Sequence, residues 1–156
     1  ERTTDSAERY PYVDYCVVAS RGCTNATAYE IALNLKELTY IVAEPYSSAD
    51  FQHGPLALVE HGFPVFAIIP DSKLAAELIT FFRQLNERGA DLIVVSSNPE
   101  ALALAQTPLP IPSCIPEWAS PLVTVVQGQL FALGLTLAKR FDPDQPRGIR
   151  KVTLTK

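Results

Sequence analysis

Residues 15–22 read YCVVASRG, a short apolar run that ends in an Arg-Gly turn. A run of this length, bounded by a turn, predicts a buried β-strand at residues 15–20. Thr24 or Asn25 is suited to cap the next element, which the spacing predicts to be a helix over residues 26–42. The apolar side chains that recur along one face of that helix are Ile31, Leu35, Leu38 and Val42. A buried strand followed by an amphipathic helix is typical of an α/β fold.

The same alternation continues along the chain. Buried strands are predicted at residues 64–69 and 91–96, and the helix that begins at Asp71 should end near Gly89. The remaining predicted elements are a short helix at 99–105, an edge strand within the proline-rich residues 108–116 and a long helix at 122–140. Strands that alternate with helices predict a three-layer αβα sandwich with a mostly parallel sheet. Ligands of such sheets bind beyond the carboxyl ends of the strands.

The last predicted helix carries an aliphatic stripe. The residues at helical spacing are Val123, Val126, Leu130, Leu133 and Leu137. We expect this stripe to face the core, and the alternative is a surface through which two chains associate.

The composition predicts one globular domain. Of 156 residues, 47% are hydrophobic and 19% are charged, and the formal net charge is −4. Because no basic run appears, no nucleic-acid partner is expected. We identify no leader sequence and no apolar run of the ~18 residues that a membrane span needs, so no membrane partner and a cytoplasmic location are expected. Since methionine is absent, we expect the chain to be a piece of a longer protein.

The sequence predicts no metal and no cofactor. Its three cysteines, Cys16, Cys23 and Cys114, are widely spaced, form no Cys-x-x-Cys pair and lie far from both histidines. This pattern favours reduced, buried thiols over disulfides or a zinc site. The chain contains neither a phosphate-binding Gly-x-x-x-x-Gly-Lys loop nor a Gly-x-Gly-x-x-Gly turn, and it lacks the Gly-x-Ser-x-Gly motif of many hydrolases.

Three segments carry more polar side chains than a core requires. On the helix at 26–42, Glu30, Asn34 and Glu37 line one flank of the apolar stripe. A carboxylate at such a half-buried boundary can have a raised pKa and move protons, and the alternative is an ordinary solvated glutamate.

The second segment, residues 43–55, gathers Glu44, a tyrosine, serines and His53. His53 is a candidate acid–base group for opening a sugar ring, or else it only contacts local backbone. The third segment, residues 144–151, places cations after a rigid turn. It is either a flap that brings positive charge to an anionic substrate or a flexible chain end.

Together these segments resemble one family. The residues that carry the resemblance are the run IALNLKELTY at 31–40, the pair Ala43-Glu44, the HGP run at 53–55, the DQPR run at 144–147 and Lys151. In order and spacing they are similar to the second lobe of the two-lobe SIS (sugar isomerase) proteins, which include glucosamine-6-phosphate synthases, deaminases and deglycases. The resemblance implies a flavodoxin-like sheet, with a single SIS domain at residues 1–141 and a tail at residues 142–156 that contributes to the active site.

The resemblance also implies roles for individual residues. Glu37 would move a proton between C1 and C2 of a hexose 6-phosphate, His53 would assist ring opening in a neighbouring subunit, and Lys151 would help to hold the open-chain sugar. Glu44 would support the site, and Asn34, Arg21 and Arg147 complete the candidate set as substrate-binding residues. The implied partners are the phosphosugar, an N-terminal SIS lobe of the same protein and a second subunit in a homodimer.

Two departures from the family pattern refine the expected function. The synthases carry a lysine at the position of Asn34, so we expect glucosamine-6-phosphate deamination to fructose 6-phosphate and ammonia rather than synthesis. Synthesis is the first alternative, and a non-catalytic phosphosugar-binding module is the second. The loop after the second buried strand, Pro70-Asp71-Ser72, lacks the hydroxyl cluster that grips phosphate in the family, and Ser96-Ser97-Asn98 is a weak substitute. We therefore expect the isolated lobe to bind phosphosugars poorly.

Overall fold

A computed structural model describes residues 3–148 of the chain. Its sheet has five strands, all parallel, in the order β2-β1-β3-β4-β5. The strands are β1 (Tyr15–Ser20), β2 (Val42–Ser47), β3 (Pro64–Ile69), β4 (Asp91–Ser96) and β5 (Thr107–Pro110). This order is the flavodoxin-like one, in which the chain reverses its direction of growth between β1 and β3. The predicted fold class is confirmed.

Helices cover both faces of the sheet. They are α1 (Thr3–Ser6), α2 (Asn25–Thr39), α3 (Ser48–Gln52), α4 (Ala75–Glu87), α5 (Pro99–Leu102) and α6 (Ser120–Ala138). Successive strand residues point to opposite faces, so Val18 packs with α2 and α6 while Val17 packs with α3 and α4. On the α2–α6 side, Phe131 lies between Tyr10 and Phe66 with ring centroids 5.6 and 5.4 Å away. The result is two separate cores and three layers.

The helix predicted over residues 26–42 is shorter than expected. It ends at Thr39, and Tyr40 adopts a left-handed conformation with φ of 60° while its N–H donates to the Lys36 carbonyl at 3.2 Å. Val42 therefore does not belong to the helical stripe; it is exposed at the start of β2. This strand was missed because it lies at the sheet edge and contains Pro45, a residue that edge strands tolerate.

The last helix packs with a different face from the one predicted. Its buried positions include Gly128, Phe131, Ala132 and Leu135, and α6 meets α2 where Gly128 contacts Ile31. A Cβ at Gly128 would overlap the Ile31 side chain, so only glycine permits this approach. The predicted core stripe is wrong: Val126, Leu130 and Leu137 are exposed, and Val123 and Leu133 are only partly buried.

The prediction that no apolar run reaches membrane-spanning length is also corrected. Within residues 3–148, one helical stretch of 22 residues, Glu117–Ala138, is long and apolar enough to cross a bilayer by length and composition. Of its most apolar part, 39% is buried inside this chain, against the sheet and α2.

Candidate functional site

The exposed flank of α2 carries the predicted proton-transfer group. The Asn34 side-chain amide donates to the Glu30 carbonyl at 2.7 Å and to Glu30 Oε1 at 2.9 Å, so these side chains share one face as predicted. Glu37 follows Asn34 by three residues, which places it on the same flank. It is exposed rather than half-buried, with the exposed Leu33 beside it. Within this chain the flank is an open surface, and only a second surface laid over it would make a cleft.

The end of the described tail is held against the last turn of α2. The Arg147 backbone N–H donates to the Tyr40 hydroxyl at 2.8 Å. The Arg147 guanidinium also lies over the Tyr40 ring at 4.6 Å and over the Phe141 ring at 5.1 Å, and those rings pack at 4.9 Å. Cation–π contacts of this kind stabilise the arrangement. Arg147, a predicted substrate-binding residue, therefore packs on Phe141 and on Tyr40, the residue directly after α2.

Sequence reasoning gave no role to Tyr40 or to Phe141 in this arrangement. Tyr40 is separated from Arg147 by 107 positions in the chain, and no local pattern connects them. The left-handed conformation of Tyr40, which ends α2, is part of the same arrangement. Lys151, predicted to act from the tail, lies outside the described residues 3–148.

His53 lies on the other side of the sheet from Glu37. Ser47 caps α3 by accepting from the Asp50 N–H at 3.1 Å, and His53 ends this helix with its own N–H donating to the Asp50 carbonyl at 3.1 Å. Phe51 anchors α3 in the core shared with α4, whereas α2 packs on the opposite face. The exposed His53 and Glu37 of one chain are therefore not brought together.

Glu44 also faces away from α2. Ala43 belongs to the core on the α2 side, so the neighbouring Glu44 points to the α3–α4 side. There it lines a groove of about 440 Å³ with Tyr15, Val42, Leu58, Glu60 and Phe63 among its other residues. This groove lies at the amino ends of the strands, so it is not the carboxyl-end site expected for a parallel sheet.

Hydroxyl groups at the carboxyl ends of the strands are already engaged. Ser20 Oγ contacts Thr24 Oγ1 at 2.6 Å and donates to the Ile68 carbonyl at 3.1 Å. Ser96 Oγ donates to the Ile69 carbonyl at 2.7 Å and accepts from the Asn98 N–H at 3.0 Å. Because buried hydroxyls satisfied in this way have little left to offer an anion, this edge makes a poor phosphate cradle.

Arg21 lies at the switch point between β1 and β3. It follows the last residue of β1, and its guanidinium forms an ion pair with Glu77 in the first turn of α4. The arginine predicted to bind substrate thus occupies the ligand-binding edge of the sheet. A substrate anion would have to compete with Glu77 for it.

Residues 16–137 match the family described as SIS domain. This chain belongs to the SIS domain family. Over 131 residues, or 84% of this chain, it is 40% identical to a glutamine–fructose-6-phosphate aminotransferase (isomerizing) from Thermococcus kodakarensis. The aligned part is 22% of that relative, so this SIS domain spans about a fifth of its length.

Solved structures agree with the fold of this SIS domain. The C-terminal domain of glucosamine-fructose-6-phosphate aminotransferase from Francisella tularensis superimposes with a TM-score of 0.80 and 27% identity, covering 92% of this chain and 41% of that one. Glucosamine-6-phosphate deaminase from Thermotoga maritima superimposes with a TM-score of 0.72, covering 96% and 45% of the two chains. At 21% identity the deaminase shows a shared fold alone.

The cysteines of this SIS domain correct one expectation. Only Cys16 is buried, whereas Cys23 and Cys114 are exposed, and all three are free. Burial raises the pKa of the Cys16 thiol to about 12, which makes it inert as a nucleophile at neutral pH. Among the described residues, no group of three or more histidine, cysteine or acidic side chains is arranged to hold a metal ion.

Because the Cys16 thiol is buried, we expect the free energy of unfolding of the SIS domain to fall as the pH rises above about 8.5. In the unfolded chain the thiol titrates near pH 8.5, so its contribution to stability is complete below that pH and is lost as the pH rises towards 12. Between pH 8.5 and 10 we expect the free energy of unfolding in urea to fall by about 2 kcal/mol more in the wild type than in Cys16→Ala. Cys23→Ala, which removes an exposed thiol, should follow the wild type. Parallel curves for wild type and Cys16→Ala would contradict the assignment.

Proposed function

We propose that this SIS domain is the catalytic lobe of an enzyme that deaminates an amino-sugar hexose 6-phosphate through aldose–ketose isomerisation. Glucosamine 6-phosphate is the proposed substrate, and fructose 6-phosphate and ammonia are the products. The observation that supports this proposal best is the hydrogen bond from Arg147 to Tyr40, which holds the described end of the tail on the residue directly after α2, the helix that carries Glu37. The proposal assigns residues 1–141 to the lobe and residues 142–156 to a tail that completes its site.

We infer that the residues after Arg147 bring Lys151 to the Glu37 surface. Lys151 follows Arg147 by four residues, and a fully extended chain of that length spans at most about 14 Å. The Tyr40 ring that holds Arg147 belongs to the residue directly after α2. An ammonium group and a carboxylate can therefore approach one substrate from two elements that are joined at this contact.

The two groups suit the proposed reaction. In the open-chain aldehyde form of the sugar, the Glu37 carboxylate would remove the proton from C2 and return it to C1, while a proton passes from the amino nitrogen to O1. The 2-amino aldose is thereby converted into the imine of the ketose. Water then adds to the imine carbon and ammonia leaves, giving the ketose. The Lys151 ammonium would stabilise the negative charge that develops on the carbonyl oxygen during proton removal. A single carboxylate that both accepts and donates the proton is sufficient for the transfer.

Other parts of the site would come from outside this chain. The hydroxyls of Ser20 and Ser96 are engaged within the fold, which supports a phosphate site on an N-terminal SIS lobe. His53 lies on the opposite face from Glu37, which supports its action in the site of a second subunit of a homodimer. Assembly into a soluble, cytoplasmic two-lobe dimer is part of the proposal.

Synthesis of glucosamine 6-phosphate is the second candidate function. It is favoured by the 40% identity to a glutamine–fructose-6-phosphate aminotransferase. Deamination is favoured by Asn34, which occupies the position where the synthases of the family carry a lysine. The Asn34 amide is hydrogen-bonded to Glu30. An amide cannot provide the cationic or basic amine that such a lysine supplies.

The deciding experiment is an assay of the purified full-length gene product with glucosamine 6-phosphate. We expect stoichiometric release of ammonia and fructose 6-phosphate without added glutamine. Absence of ammonia release, together with formation of glucosamine 6-phosphate from fructose 6-phosphate and glutamine, would replace deamination with synthesis. Binding of either sugar phosphate without turnover would indicate a non-catalytic module.

A further inference from the structure

One corner of the sheet is exposed on the face that carries α3 and α4. Tyr15 points to the same face as Val17, which belongs to the core under those helices, and Tyr15 pairs in register with Val42 of β2. α3 meets β2 further along the strand, where the rings of Phe51 and Tyr46 pack at 5.5 Å. Tyr15 and Val42 are 49% and 59% exposed. Strands of a parallel sheet are usually buried on both faces, so this exposed corner requires an explanation.

This corner forms one side of the groove that contains Glu44. The connection from α3 to β3 supplies more of the lining, including Leu58 and Phe63. Leu58 is 56% exposed, and the Phe63 ring packs against the Tyr15 ring with centroids 5.4 Å apart. The groove has a volume of about 440 Å³, which is within the range of small-molecule sites, about 300–1,000 Å³. A ligand of modest size with an apolar body would therefore fit.

Two carboxylates give the groove its charge. Glu44 comes from β2 and Glu60 from the connection before β3. Among residues 3–148, neither carboxylate has an ion pair or a hydrogen-bond partner. None of the described residues that line the groove is a lysine, arginine or histidine. Because a cleft lined by charges of one sign attracts ions of the other sign, a ligand with a positive charge complements this groove.

The rest of the lining selects the kind of cation. Tyr15 and Phe63 place an aromatic pair beside the carboxylates, and aromatic rings attract alkylated and quaternary ammonium groups. A metal ion needs several oxygen ligands, and within residues 3–148 no group of three or more acidic, histidine or cysteine side chains is arranged to hold one. An extended peptide gains little from β2, because Pro45 interrupts the row of N–H groups at this edge.

We propose that this groove binds a small organic cation, an amine or quaternary ammonium compound with an apolar body. The cationic group would contact the carboxylates of Glu44 and Glu60, and the apolar body would lie against Tyr15 and Phe63. The site is separate from the proposed sugar-phosphate site, because Glu37 is on α2, which packs on the opposite face of the sheet. Glu44 thereby binds a second ligand rather than supporting Glu37.

Calorimetric titration of the full-length gene product with 2-phenylethylamine, which is protonated at pH 7, tests this site. We expect saturable binding of one molecule per chain. The matched neutral compound 2-phenylethanol keeps the apolar body but lacks the charge, so it should bind at least tenfold more weakly. Raising the ionic strength should weaken binding of the amine and leave that of the alcohol unchanged, because salt screens exposed charges.

Two variants locate the amine in the groove. Glu60→Gln and Glu44→Gln should each weaken its binding by about fivefold, the upper range for one exposed ion pair, and the double variant by at least tenfold. Glu117→Gln is the matched control. Glu117 is also exposed, but it lies before α6, where Cys23 Sγ contacts its carbonyl at 3.4 Å, at the carboxyl ends of the strands. Since Glu44 and Glu60 are exposed, the variants should fold, which circular dichroism checks.

Each other outcome overturns the proposal. Equal affinity for the amine and the alcohol would show a groove that does not recognise charge. Binding that Glu60→Gln and Glu44→Gln leave unchanged, or that saturating glucosamine 6-phosphate abolishes, would place the amine at another site. Absence of binding would show that the groove takes no such ligand in the full-length protein. A protein that releases no ammonia can still bind the amine, so this test and the assay of function fail independently.

Discussion

Replacing Glu37 with glutamine in the full-length gene product is expected to lower kcat for deamination by about 10³-fold, within the range for loss of a general base. The amide keeps the size and hydrogen-bonding shape of the carboxylate but cannot accept the C2 proton. KM for glucosamine 6-phosphate should change little, because proton transfer contributes to the transition state rather than to ground-state binding. Steady-state ammonia release gives kcat, and exchange of the C2 hydrogen with solvent reports the proton transfer directly.

Glu87→Gln is a matched control for this change. Glu87 ends α4 on the opposite face of the sheet and is exposed like Glu37, so the same chemical replacement there should leave kcat unaltered. A Glu37→Gln enzyme with near wild-type kcat would remove the proton-transfer role from this residue. Loss of solvent exchange at C2 together with intact substrate binding would support it.

The largest loss of stability is expected from Phe131→Ala. The Phe131 ring is buried between Tyr10 and Phe66, and it connects α6 to the sheet and to the N-terminal segment. Truncation should reduce the free energy of unfolding by about 4 kcal/mol, from lost apolar burial and the cavity left behind. Urea unfolding followed by circular dichroism measures the change.

Phe131→Leu is a control that keeps a large apolar side chain at this position but removes the aromatic ring. Leucine fills part of the same space, so we expect a loss nearer 1 kcal/mol. If Phe131→Ala were no more destabilising than Phe131→Leu, the neighbouring side chains would have filled the space that the ring leaves. The description of Phe131 as the connection between α6 and the sheet would then be wrong.

The sequence predicted best the strands that are buried on both faces. The predicted bounds of β1, β3 and β4 agree with the structure, because a short unbroken apolar run between turn residues has few alternatives in an α/β chain. The edge strand β2 has no such run: it reads VAEPYS, and only Ala43 in it is fully buried. Its polar residues and proline suggested a loop, and only pairing with β1 makes it a strand.

The wrong face of α6 has a related cause. Periodicity locates a buried face by contrast between apolar and polar positions. In a helix that has no charged residue and carries apolar residues on every side, more than one stripe fits the spacing. Sequence alone could not show that small residues such as Gly128 and Ala132 mark the inner face, because close helix packing depends on the partner helix.

Part of the candidate site was predictable for a simple reason. Glu30, Asn34 and Glu37 are placed together by helix geometry, which needs no tertiary information. The anchoring of Arg147 on Tyr40 and the separation of His53 from Glu37 depend on contacts between distant parts of the chain. The catalytic roles themselves stay predictions, since one chain by itself does not assemble the proposed groups.

Both edge strands of the sheet contain proline, which affects how this protein would aggregate. Pro45 lies within β2, and Pro108 and Pro110 lie within β5, the strands at the two ends of the strand order. A proline offers no N–H to an incoming strand, so neither margin is a good template for recruiting further chains into fibrils. An isolated lobe that precipitates should therefore aggregate through the exposed apolar side chains of α6. The aggregate should be amorphous and should lack the regular repeat of amyloid.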